Sequence, residues 1–138
     1  MKTIVMHLAA AVSVALGLAA CASTMPRAEG LALYKANAGE AIPRMRYFQP
    51  QGWEEIDDQH IVVNVRPTEA YLLRLSGPCL DYDNGSAVMF ISNTAGYVDQ
   101  KFDRVSFGQP ISCRIEEIRP LNVQGVRDAR DAWEMANG

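Results

Sequence analysis

Two neighbouring segments constrain the fold most. His60 to Val65 (HIVVNV) alternates, with Ile61, Val63 and Val65 on one face and His60, Val62 and Asn64 on the other. Ala70 to Leu75 (AYLLRL) follows the Pro67-Thr68 break and sets Tyr71, Leu73 and Leu75 on one face. A period of two repeated across a turn predicts antiparallel strands, because a helix would scatter those side chains around its axis. Further short strands are expected at Arg44–Phe48, before Pro50-Gln51-Gly52, and at Trp53–Ile56, before Asp57-Asp58. Ala87–Ser92 lies between the turn signals Asp83-Asn84-Gly85 and Asn93-Thr94-Ala95-Gly96. Residues 97–102 read as irregular, and Arg104–Phe107 as a short strand. In Ile111–Ile118, residues Ile111, Cys113 and Ile115 share a face that points inward. Strands recurring roughly every ten residues predict a mainly β fold, a small antiparallel barrel or curled sheet. An open α+β sheet backed by a helix is the alternative.

The period changes at both ends. Residues 29–38 supply one or two helical turns, with Gly39 as a stop. In the tail, Asn122 is a good N-cap, and Leu121 with Val126 makes a hydrophobic staple. Val126, Ala129, Trp133 and Ala136 form an apolar stripe opposite Arg127, Asp128, Arg130, Asp131 and Glu134. Gly125 costs this helix about 1 kcal/mol relative to alanine. The helix is expected to pack on the sheet through Trp133.

Residues 1–20 carry Lys2 and then an apolar run, Ile4 to Leu18, that is short for a membrane span. The run ends in Leu18-Ala19-Ala20-Cys21, which resembles the lipobox of bacterial lipoproteins. That resemblance implies cleavage before Cys21, diacylation of its sulfur (palmitate-type chains) and acylation of the new N-terminus. Two or three acyl chains anchor firmly where one would be marginal. Residues 21–28 then form the acylated cysteine and a tether, and 29–138 a single domain. Ala22, in place of aspartate, points to the outer membrane. An ordinary signal cut after Ala22 is the alternative.

The chain has three cysteines. With Cys21 acylated, Cys79 and Cys113 are the only partners for a disulfide, which an oxidising periplasm permits. A closed loop of about 35 residues would constrain the unfolded chain by roughly 3.8 kcal/mol. Redox or metal use is the alternative, although neither cysteine sits in C-x-x-C.

Charge excludes a nucleic-acid polycation: the 138 residues carry a net charge of −3. His60 is the sole histidine beyond the leader and reads as an exposed residue at a strand start. No G-x-S-x-G or S-x-x-K pattern supplies it with a nucleophile. Asp81-Tyr82-Asp83-Asn84-Gly85 starts like a calcium loop, but Gly85, Ser86 and Ser92 occupy positions where ligands or the invariant glycine belong. Glu54, Glu55, Asp57 and Asp58 form a small acidic group, read as a solvated turn. Arg44, Arg46, Arg66 and Arg74 fall on or beside strands and, with Tyr47, Trp53 and Tyr71, could form a basic stripe if strand pairing gathers them, a set suited to an acidic glycan or carboxylate; Arg44, Arg46, Arg74, Trp53 and Tyr71 are the candidate ligand contacts. Cross-strand pairing of these arginines with acids is the alternative. No metal or cofactor motif is present, so none is expected.

Arg46-Tyr47-Phe48, Gly52-Trp53, HIVVNV, Tyr71-Leu72-Leu73, Cys79, Asp103-x-Val105, Cys113-x-Ile115 and Ile118-Arg119-Pro120-Leu121 together carry a resemblance. On these residues the stretch from Arg46 to Leu121 resembles an uncharacterised family of small Gram-negative lipoproteins, a domain of unknown function. The resemblance implies one intact domain and pairing of Cys79 with Cys113, and implies no activity. The expectation is a non-enzymatic binding or envelope-accessory module, lipid-anchored on the periplasmic face of the outer membrane. Anchorage in the inner membrane or secretion into the periplasm are the alternatives. Its partners would be the membrane and an envelope protein or glycan, with no nucleic acid. Two other functions compete: an inhibitor or chaperone of a periplasmic enzyme acting through Asn93–Phe102, and a hydrolase using His60.

Overall fold

The computed structural model describes residues 24–47, 50–79, 88–108 and 111–138. The leader, Cys21 and the Asp81–Gly85 turn lie outside the described residues. In chain order the elements are α1 (Arg27–Ala36), β1 (Arg44–Arg46), β2 (Gly52–Glu55), β3 (His60–Arg66) and β4 (Glu69–Leu75). They continue as β5 (Phe90–Ile91), β6 (Tyr97–Asp99), β7 (Arg104–Ser106), β8 (Ser112–Pro120) and α2 (Val123–Asn137). The fold is mainly β, as the alternation indicates. Six antiparallel strands run in the order β2-β3-β4-β8-β7-β5, and β1 pairs with β6 as a separate ribbon. The large sheet curls into a half-barrel. The ribbon packs its inward residues Met45 and Val98 against the sheet's core. It is also tied to β8 and to the chain beside it: Ile42 N donates to Ile118 O at 2.8 Å, and Gln100 N to Pro43 O at 3.0 Å.

The β3–β4 pairing follows the expected register, with Val63 opposite Tyr71 and Ile61 opposite Leu73. The face carrying Ile61, Val63, Tyr71, Leu73 and Leu75 is the main core. β8 adds Cys113, Ile115 and Ile118 to it. Residues 115 and 118 have opposite parity, so strict alternation would send one of them outward. A register shift opposite Arg74 and Leu75 resets the parity, and both isoleucines are fully buried. Ile111 does not share that face and is 70% exposed.

The second face of β3 and β4 departs from expectation. Val62 is 2% exposed, and with Ala70 and Leu72 it packs under Tyr34 of α1 and Val126 of α2. Both helices therefore back this face, and the strands are apolar on two sides because both sides are covered. His60, expected in solvent, is 8% exposed, its ring held against Asp57. Its Nδ1 lies 2.8 Å from Asp57 Oδ1, which also accepts the backbone amides of Gln59 and His60 at 2.8 Å each.

α2 begins as the cap predicts: Asn122 Oδ1 accepts from Gly125 N at 2.9 Å. Leu121 and Val126 join the same cluster, as a staple requires. Trp133 does not reach the sheet core. Its Nε1 donates to Glu29 Oε2 of α1 at 2.7 Å, and Ala136 is exposed. α1 spans residues 27–36, starting just after Pro26, a position where a missing N–H costs nothing. β6 falls where no regular structure was expected, because pairing with β1, not local pattern, creates it.

Candidate functional site

A cleft of about 350 Å³ opens between α2, the end of α1 and strands β2 to β4. Its floor is hydrocarbon: Val62, Ala70 and Val126 are all buried there. Its rim is charged. Arg66 stands at the end of β3, while Arg127 and Arg130 lie three residues apart on α2 and so share one helix side. Glu54 of β2 is the sole carboxylate among the lining residues.

One corner of the rim is tightly organised. Tyr34 is buried, and its hydroxyl donates to Glu54 Oε2 at 2.9 Å. Arg130 Nη2 donates to Glu54 Oε1 at 2.5 Å and also to the Tyr34 hydroxyl. The guanidinium carbon lies 5.3 Å from the centre of the Tyr34 ring, within cation–π range. Burial, and then the neighbouring Glu54 carboxylate, push ionisation of the Tyr34 phenol far above its ordinary value. Tyr34 is therefore a neutral donor at any physiological pH. The other corner is looser. Arg127 Nη2 donates to the Pro67 carbonyl at 3.1 Å, a neutral acceptor, and Arg127 forms no ion pair among the described residues. Arg66 Nε lies 3.7 Å from Glu69 Oε2.

Of the expected basic stripe, Arg66 lines this cleft, and the candidate ligand contacts are elsewhere. Trp53 and Tyr71 share the core face, where the Trp53 ring lies 5.0 Å from Phe107. Tyr71 donates to Glu69 Oε1 at 2.7 Å. Burial comes first among the causes that push its phenol up to about 12, and Arg46 and Arg66 lie near enough to pull it partly back. Arg44 is committed to Asp99 at 2.8 Å and sits 5.4 Å from the centre of the Tyr97 ring. Arg74 points from the helix-covered side of β4 toward Glu117, 3.9 Å away. The structure thus brings Trp53, Tyr71 and Arg46 into one neighbourhood and leaves Arg44 and Arg74 apart from it.

Cys79 and Cys113 form a disulfide, with Cα atoms 5.9 Å apart. Among the described residues, no group of three or more His, Cys, Asp or Glu is arranged to hold a metal ion. Among the described residues, no helix is long and apolar enough to cross a membrane.

A family model described as a family of unknown function (DUF6491) matches residues 1–136. The chain belongs to that family. No curated protein and no solved structure matches it. Membership brings no activity with it.

Two groups escaped the sequence reading. One is the Tyr34, Glu54 and Arg130 cluster, whose members are separated by 20 and 76 residues. The other is Asp103, a buried carboxylate that accepts Ser92 Oγ at 2.6 Å and Asp99 N at 2.7 Å. The only signal for either was a polar side chain beside an apolar run, which is common in strands.

Proposed function

We propose that the protein is a lipid-anchored module of the bacterial envelope that binds a ligand and catalyses no reaction. The observation that carries the binding reading is the cleft on the helix-covered face. Three of the four charged residues on its rim are arginines, which stay protonated and cannot serve as bases, and the fourth, Glu54, is held by Tyr34 and Arg130 above an apolar floor. Such a set holds a ligand and does not move its protons.

The anchor reading rests on Leu18-Ala19-Ala20-Cys21 and on the pairing of the two remaining cysteines, which suits an oxidising compartment. Ala22 favours the periplasmic face of the outer membrane over the inner membrane. The chain from Cys21 to the start of α1 at Arg27 reaches about 20 Å at full extension, so the domain would ride close to the bilayer. Growth with a labelled fatty acid tests this. Label in the wild-type chain but not in Cys21→Ser, with the variant released from membranes, is the expected result. A soluble, unlabelled wild type would sink the anchor.

A second reading, inhibition of a periplasmic enzyme, is favoured by Phe102, which is 85% exposed at the turn after β6. Most of Asn93–Phe102 is not a free loop, since β6 pairs with β1 and Thr94, Gly96, Gln100 and Lys101 also make backbone hydrogen bonds. If this reading holds, Phe102→Ala abolishes inhibition of the target. Inhibition that survives the change removes it.

A further inference from the structure

The cleft has the chemistry to select among ligands. Three arginines and one carboxylate line it, in a chain whose net charge is −3, so positive charge is concentrated locally against the overall balance. Glu54 compensates Arg130. Arg127 keeps its full charge with a backbone carbonyl as its partner. A guanidinium carries five N–H donors in a planar fork that fits a carboxylate, and Arg127 spends one of them on Pro67. The hydrocarbon floor lies directly beneath that fork. A purely ionic ligand would leave the floor wet, and a purely apolar one would desolvate the arginines without return.

We infer that the cleft binds a small amphiphilic organic anion, with one carboxylate held by Arg127 at the rim and an apolar body lying over Val62 and Ala70. At about 30 Å³ per water-sized group, the volume accommodates on the order of a dozen heavy atoms. The Tyr34 and Glu54 pair fixes Arg130 as the far wall and Arg66 is paired with Glu69, which leaves Arg127 as the group to meet the charge. This inference rests on the binding reading of the cleft and is independent of the lipid anchor.

The test is isothermal titration of the full chain in lipid nanodiscs with 3-phenylpropionate, using empty nanodiscs as the blank. The same titration is run with 3-phenylpropylammonium and with inorganic phosphate. Saturable binding of the carboxylate is expected, with none of the ammonium and only weak binding of phosphate. Arg127→Gln, at an exposed position outside the packed core, should weaken the carboxylate at least about tenfold, the effect of losing one charge-assisted hydrogen bond. Three results would overturn the inference: no saturable binding, equal binding of carboxylate and ammonium, or unchanged affinity in Arg127→Gln. Phosphate binding as strong as the carboxylate would remove the apolar body from the ligand. Acyl labelling is read on the same preparation, so loss of the ligand and loss of the anchor are distinguishable.

Discussion

Replacing Cys79 and Cys113 together by alanine tests how the fold is held. The β4–β8 ladder runs to Leu75 opposite Ile115, and Ser76 N still donates to Arg114 O at 2.9 Å. Pro78 has no N–H and cannot extend it. The disulfide takes over there, its ends 34 positions apart in sequence, and encloses β5, β6 and β7. Because β4 and β8 are already paired in the native sheet, the cross-link acts mainly on the unfolded chain. Loop-closure entropy for a ring of this size is roughly 13 cal/mol/K, or about 3.8 kcal/mol at 25 °C. For a body of roughly 115 residues the unfolding entropy is about 0.24 kcal/mol/K, so Tm should fall by about 16 °C. Thermal melts followed by Trp53 and Trp133 fluorescence measure this, and reducing the wild type should reproduce the double variant. A fall of less than about 4 °C would refute the entropic argument and place the constraint in the native ladder instead.

Gly125→Ala should destabilise, although helix propensity alone favours alanine by about 1 kcal/mol. A Cβ there would come 2.3 Å from Asn37 Oδ1 and 3.1 Å from Asn122 Cγ, forcing Asn37 off its 2.9 Å bond to Leu33 O. A urea midpoint above the wild type would contradict this. Asp57→Ala removes an acceptor of two amides and of the His60 ring and should cost about 2 kcal/mol. Burial raises the Asp57 carboxyl, but the Gln59 amide and His60 together hold it below the ordinary 3.8. Its contribution is therefore complete above that value and is lost as pH falls below it, so the variant should flatten the acid limb of the stability curve. An acid limb as steep as the wild type's would count against it. Tyr71, pushed up to about 12, keeps its proton where the unfolded chain loses it, so stability should fall as pH rises from 10 toward 12. Tyr71→Phe should reduce that fall, and phenolate absorbance follows the titration directly.

Alternation in HIVVNV and AYLLRL made the central strands and their register legible, because each side chain's face follows from a period of two. The cap at Asn122 was legible for a similar reason, since its signal lies within three residues of the groups it bonds. Parity resets were not legible. Ile118 is buried because β8 shifts register opposite Arg74 and Leu75, and the shift depends on the partner strand. β6 exists because β1 reaches it across more than fifty residues. The coverage of the second face was equally hidden. Nothing local in Val62 or Leu72 announces that two helices will lie over them.

That hidden second layer also explains why the cleft lies where it does. On a helical wheel Arg127 and Arg130 belong to the polar side of α2, and in isolation they would face water. Only Val126 of α2 is buried, so the helix rests on the sheet by its first turn and leaves a gap beside Asn64 and the end of β3. The arginines beside that contact then border apolar surface while remaining partly in solvent. Arg130 is drawn to Glu54 and Tyr34, and Arg127 to the carbonyl of Pro67, the turn that ends β3. A helix with a wider apolar stripe on the sheet would close the gap, and one with no charged residues on its flank would leave it without selectivity. The narrow contact and its basic border together make the gap a site. Widening the contact tests this: Arg127→Leu should raise stability by covering the floor, and should abolish binding of 3-phenylpropionate in the same protein. A variant that gains stability and still binds the anion would separate the two properties and remove Arg127 from the site.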